Sequence, residues 1–261
     1  MKTRNVTREE IQGTLYSNVD LRRLILPLIM EQLLAILVGM LDTVMISGVG
    51  EAAVSGVSLV DSVNILVINI FAALATGGAV VAGHALGQKN KEQAGRSAWQ
   101  MVLFLLYASL ATTILFLGAH KVILRAVFGQ VEEAVMSSAT TYLIITGLSI
   151  CPLALYNGCA ALFRAMGNSR TTMYISLLMN LINLVGNAIL IFGFGMGVAG
   201  AAIATLVARI VSAVLIFRLM LDEKRDIHFK GRLTVRMDFP LVKRILFIGI
   251  PNGLENSLLT G

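Results

Sequence analysis

Charged side chains are scarce in this sequence. Asp, Glu, Lys and Arg make up 14% of its 261 residues, against about a quarter in an ordinary soluble chain. Cysteine occurs twice, histidine three times and tryptophan once. Two cysteines exclude a disulfide scaffold, and Cys151 and Cys159 fall on one predicted helix about 12 Å apart along its axis, beyond disulfide reach. His84, His120 and His228 lie in different regions and give no histidine metal site. There is no His-Glu-x-x-His zinc motif, no Gly-x-Ser-x-Gly elbow and no Walker lysine loop, so the common hydrolase and nucleotide-binding chemistries have no residues to carry them. An intramembrane hydrolase would have only Asp42 and Asp61 as obvious carboxylates. The chain reads as a non-enzyme with no cofactor.

Apolar residues are abundant: 56% of the chain, with a mean hydropathy of +0.80. About 20 apolar residues cross a bilayer as a helix, and six runs reach that length: 24–47, 57–86, 99–118, 139–162, 173–194 and 198–219. A seventh opens near Ile245. The fold class is therefore an all-α membrane protein, a six-helix bundle with part of a seventh helix. The first run is too long for a signal-peptide core and is read as a retained span. The segment from His120 to Val135 is expected to form a short surface helix or a solvated loop.

The net charge of +6 is sorted by side. Basic residues precede the first span (Lys2, Arg4, Arg8, Arg22, Arg23) and follow the second (Lys89, Lys91, Arg96), the fourth (Arg164, Arg170) and the sixth, where Arg218 to Arg244 is the densest stretch. The opposite connections carry only Lys121 and Arg125. By the positive-inside rule the N-terminus and the even-numbered connections are cytoplasmic, in a multi-pass protein of the cell (inner) membrane. The basic excess is topology and needs no nucleic-acid partner; the bilayer is the partner.

The seventh run restates the first. Leu26-Pro-Leu-Ile-Met-Glu-Gln-Leu-Leu34 aligns with Ile250-Pro-Asn-Gly-Leu-Glu-Asn-Ser-Leu258, as in transporters built from two parallel repeats. The expected organisation is a cytoplasmic tail over 1–20, a six-helix lobe over 21–221, a cytoplasmic inter-lobe linker over 222–244 and the start of a second lobe over 245–261. Such a chain is expected to be a fragment, needing either its missing C-terminal lobe or a second copy.

An ionisable group inside a span is expensive and is a functional candidate by default. Asp42 lies near the outer end of the first span. Asp61 is read as an exposed or entrance residue, and Glu31 and Glu255 lie about two turns inside their helices. The fifth span carries Asn180, Asn183 and Asn187 at a spacing that puts all three amides on one face, suited either to a cavity or to interhelical packing. The fourth span adds Tyr156 and Asn157, and the sixth adds Thr205 and Arg209, whose counter-charge the sequence leaves open.

Several segments together resemble the multidrug and toxic compound extrusion (MATE) family: Pro27 with Leu41-Asp-Thr-Val-Met-Ile46, Val81-Ala-Gly-His-Ala-Leu-Gly-Gln-Lys-Asn90, Phe163-Arg-Ala-Met-Gly-Asn-Ser-Arg170, and Asn187 to Gly193 running into Gly197 to Thr205. The resemblance implies one lobe of a twelve-helix antiporter that exports small organic cations against sodium ions or protons. It implies a cation-coupling set of Asp42, Asn183, Asn187 and Thr205, with Asp42 as the residue that would hold a sodium ion, and a substrate cavity drawing on Tyr156, Asn157, Asn180, Arg209 and Glu255. Two departures stand out: Asn187 replaces an aspartate frequent in some branches, and His84 replaces a frequent glutamine. The alternatives are a lipid-linked saccharide flippase of the related superfamily, which would have a more cationic cavity, and a non-transporting membrane scaffold.

Overall fold

The computed structural model describes residues 18–129, 131–229, 231 and 234–248, with side chains from Ile25 onward. The helices are α1 (Asn18–Ser47), α2 (Glu51–Gly87), α3 (Lys91–Phe128), α4 (Glu133–Leu148), α5 (Ile150–Ala165), α6 (Ser169–Asn187) followed by a π-helical turn (Ala188–Gly193), and α7 (Gly197–Met220). Five of them are long and apolar enough to cross a membrane, and α4 with α5 makes a bent sixth. They run alternately up and down, so the connections following α2, α5 and α7 share one end of the bundle, called here the basic end. Leu37, Val44, Ile114 and Phe192 are among many large apolar side chains left exposed on the outside, a surface that only lipid or another apolar body can cover.

The core is built from α2, α3, α4, α5 and α7, while α1 packs chiefly against α6. Small residues set the spacing. A Cβ on Gly56 of α2 would lie 2.9 Å from the Ala139 nitrogen and the Val135 oxygen of α4. Neither backbone atom can rotate away, so Gly56→Ala forces the two helices apart and should cost about 2 kcal/mol, read as a lower melting temperature in detergent with the helical content unchanged. Gly186 stands in the same relation to Ala204, at 2.9 Å, and closes α6 onto α7. Both cysteines are free, Cys159 buried and Cys151 beside Thr113.

Two basic-end turns are built alike. Lys89 and Gly167 take positive φ, Asn90 and Asn168 donate their backbone N–H to Ala85 and Phe163, and the same asparagine side chains cap α3 and α6 by accepting from Gln93 and Thr171. These are Schellman ends followed at once by an N-cap.

The structure corrects the sequence reading in several places. The stretch from His120 is neither a separate helix nor a loop, because α3 continues unbroken to Phe128. Nothing in it breaks a helix before Gly129, whose positive φ and N–H bond to Arg125 end it. The fourth span is bent by 48° between α4 and α5. Pro152 has no N–H to give to Leu148 and its ring crowds that carbonyl. The fifth span changes to a π-helical turn directly after Asn187. The described part of 222–244, expected as the inter-lobe linker, packs on the lobe. Ile227 and Phe229 are fully buried, Phe229 stacks edge-on against Trp99, and Arg225 lies over the Phe163 ring. Trp99, Gln100 and Tyr107 of α3 donate to the carbonyls of Thr234, Arg236 and Val235, while Arg96 pairs with Asp238 at 2.7 Å. Asp238 then starts a helical stretch over 239–248, earlier than the expected opening near Ile245.

Candidate cation-coupling site

Asp42 lies in the last turns of α1, on the side packed against α6. The α6 face carrying Asn183 and Asn187 meets it. Asn187 Nδ2 donates to Asp42 Oδ1 at 2.7 Å, and Asn187 Oδ1 is buried without a hydrogen-bond partner. The Asn183 amide nitrogen donates to Asp42 Oδ2 at 2.9 Å and Oδ1 at 3.2 Å, and its oxygen accepts from Thr205 Oγ1 of α7 at 3.0 Å. Both amides thus present donors to a bare carboxylate, whereas a proton or a cation held there would call for an amide oxygen instead.

Asp42, Asn187 and Thr205 border a cavity of about 100 Å³, lined also by Thr43, Ser58, Asp61 and Tyr142. Asp61 of α2 is half-buried and interacts with Asn64, with Tyr142 of α4 and with Arg209 of α7, so it is no exposed entrance residue. Arg209 Nη1 donates to Ser149 Oγ at 2.6 Å, and Ser149 sits at the bend between α4 and α5. The kink thus supplies the oxygen that holds the arginine. Tyr142 carried no signal in the sequence. Asp61 did, as a charge inside a long apolar run, but its depth could not be judged without the bundle around it.

The remaining predicted residues are not brought to this cavity. Tyr156 is buried beside Glu31 and Arg164. Asn157 and Asn180 each bury an amide nitrogen that has no hydrogen-bond partner, away from the cavity lining. Arg209 lies behind Asp61 and does not line the cavity. Glu255 lies outside the described residues. His84 is exposed near the basic end, against Gln88. Among the described residues no group of three or more His, Cys, Asp or Glu gathers as a metal site, and one or two carboxylates among neutral oxygens suit a monovalent cation better than a divalent one.

The sequence profile of the MatE family matches residues 27–189. The chain belongs to the MATE family. It is 30% identical over 248 residues to a probable multidrug resistance protein NorM of Thermotoga maritima, covering 92% of this chain and 52% of that one. It is 29% identical over 234 residues to an uncharacterized transporter, YisQ, of Bacillus subtilis, covering 88% of this chain and 50% of the relative. Among solved structures, a MOP superfamily transporter from Pyrococcus furiosus, described as having a binding pocket of reverse polarity that suggests a different function, superposes with a TM-score of 0.81 at 25% identity, over 90% of this chain and 52% of the other. The MATE chain described here thus spans about half the length of the curated relatives it matches. Its fold is the multi-pass helical lobe that the sequence resemblance implied.

Proposed function

We propose that this MATE lobe, paired with a second six-helix lobe, forms a secondary antiporter that exports small organic cations in exchange for sodium ions or protons across the cell (inner) membrane, with its basic end cytoplasmic. The observation that carries this reading is Asp42, a carboxylate on a membrane span bordered by a small cavity and by two amides that donate to it.

The coupling follows from that arrangement. When Asp42 is bare, Asn183 and Asn187 stabilise its charge as donors. When a proton or a sodium ion is bound, Asn183 turns its oxygen inward, Asn187 Oδ1 has a partner to gain, and the Thr205 hydroxyl swings to Ala201. Ion binding at Asp42 therefore resets the contacts between α1, α6 and α7. An organic cation attracted by the same charge competes with the ion without sharing its atoms, which is a coupling free energy between two sites. Asp61 supplies a second carboxylate across the cavity, in a chain that has Asn187 where some branches carry an aspartate. A saccharide flippase is less well supported, because among the described residues the cavity lining holds two acids and no lysine or arginine.

Dye efflux from cells, with sodium and proton gradients varied separately, tests the proposal. The two-lobe protein is expected to lose efflux when one of the gradients is collapsed and not the other. Efflux indifferent to both would overturn the antiporter reading, and efflux from this chain alone would mean that two copies supply both lobes.

A further inference from the structure

Glu31 lies on α1 roughly three turns before Asp42, about 16 Å along the axis and on the same face. The α6 stripe that meets Asp42 with Asn187 and Asn183 continues toward the basic end through Asn180 to Ser176 and Thr172. There it reaches Glu31: Thr172 of α6 and Tyr156 of α5 approach the Glu31 carboxylate, and Ser176 approaches the Tyr156 hydroxyl. The seam between α1 and α6 thus carries a carboxylate at each end.

The basic-end cluster has unmet polar capacity. Tyr156 is 4% exposed, yet its hydroxyl completes no hydrogen bond, and Glu31 Oε2 is buried and equally without one. Glu31 Oε1 has a loose partner, Arg164 Nη1 at 3.9 Å, whose side chain is 35% exposed against 14% for the glutamate. Between the two ends, Asn180 buries an amide nitrogen with no hydrogen-bond partner. A carboxylate in a span is costly to leave without donors or a counter-charge. Arg164 sits at the rim, close enough to neutralise Glu31 and exposed enough to leave for water.

We propose that Glu31, Tyr156, Thr172 and Ser176 form a second sodium station at the basic end of this seam, with Arg164 as the resident counter-charge that the ion displaces. The donor set is one carboxylate and three neutral hydroxyls, hard oxygen ligands carrying a single charge, which fits a monovalent cation. On the reading in which Asp42 takes the ion from outside and the basic end is cytoplasmic, Glu31 is where the ion pauses before release. The return of Arg164 then leaves the site neutral and resists re-entry.

The experiment is equilibrium binding of radioactive sodium to the full-length protein in detergent, in a potassium background. Asp42→Asn is expected to retain one sodium equivalent that Asp42→Asn/Glu31→Gln loses. Arg164→Gln, by removing the competing cation, is expected to tighten that site at least threefold, which a purely structural role for the pair would not do. Should Glu31→Gln fail to fold, Tyr156→Phe in the Asp42→Asn background serves instead and is expected to weaken the retained site severalfold. The proposal is overturned if Asp42→Asn alone abolishes all sodium binding, if Glu31→Gln removes no sodium, if the folded Tyr156→Phe variant binds as before, or if Arg164→Gln leaves affinity unchanged or lower. If instead Asp42→Asn removes no sodium while Glu31→Gln does, the Glu31 station stands and the Asp42 assignment as a sodium site falls.

Discussion

Asp42→Asn in the full-length protein is expected to reduce ion-driven dye efflux to the level of cells lacking the transporter, with the protein still made and inserted. The substitution keeps the shape of the side chain and two of its hydrogen-bonding positions, so α1 should still dock on α6. What it removes is the charge. The Asn183 amide then has no reason to change face when the ion gradient changes, because an amide neighbour accepts either of its settings. A thermal shift on adding sodium or lowering pH, present in the wild type, should disappear together with the efflux. If Asp42→Asn still pumped against a gradient, the assignment of this carboxylate as the coupling group would be wrong.

The second large effect is expected at Arg209, and it is on stability. Arg209 bonds Ser149 at the α4–α5 bend and is the cation that faces Asp61. Arg209→Met fills similar volume but removes the charged donor to Ser149 and the guanidinium whose field reaches Asp61 from beyond ion-pair distance. Losing a hydrogen bond from a charged group costs about 2 kcal/mol, enough to lower the yield of folded protein severalfold. Asp61→Asn added to Arg209→Met should recover the part of the loss that belongs to the charge. A double variant no more stable than the single one would mean that Arg209 acts through Ser149 and the bend, and that its charge is incidental.

Much of this molecule was legible in its sequence because the bilayer writes long signals. A run of apolar residues is a helix wherever lipid is the solvent, and the side-to-side sorting of lysine and arginine gives the order of crossings. Asn183 and Asn187 were also legible, with Asn180, by their spacing on one helix face, and Thr205 through the family resemblance. What the sequence could not give is how helices face one another. Tyr156 and Asn157 are adjacent in sequence and were both expected in a substrate cavity, but neighbouring positions on a helix point about 100° apart, and Tyr156 turns toward Glu31. Asp61 and Glu31 were underrated for the same reason: a carboxylate's surroundings come from three or four helices at once. The end of α3 was missed by a different route. Its length was judged against the thickness of a bilayer, whereas the helix obeys only its own hydrogen bonds and stops where Gly129 lets the chain turn.

The segment after α7 changes where motion can be placed. Its backbone is held to α3 by Trp99, Gln100 and Tyr107, and its Asp238 is pinned by Arg96. It therefore travels with the lobe as a rigid bracket. Asp238 is also the residue from which the helix over 239–248 starts, its side-chain and backbone oxygens meeting the N–H groups of Leu241 and Val242. Ile245 of that helix is fully buried and Val242 nearly so, with Leu241 and Ile248 packed on the same core, so the bracket extends through the helix and the lobe fixes the direction in which the chain leaves it.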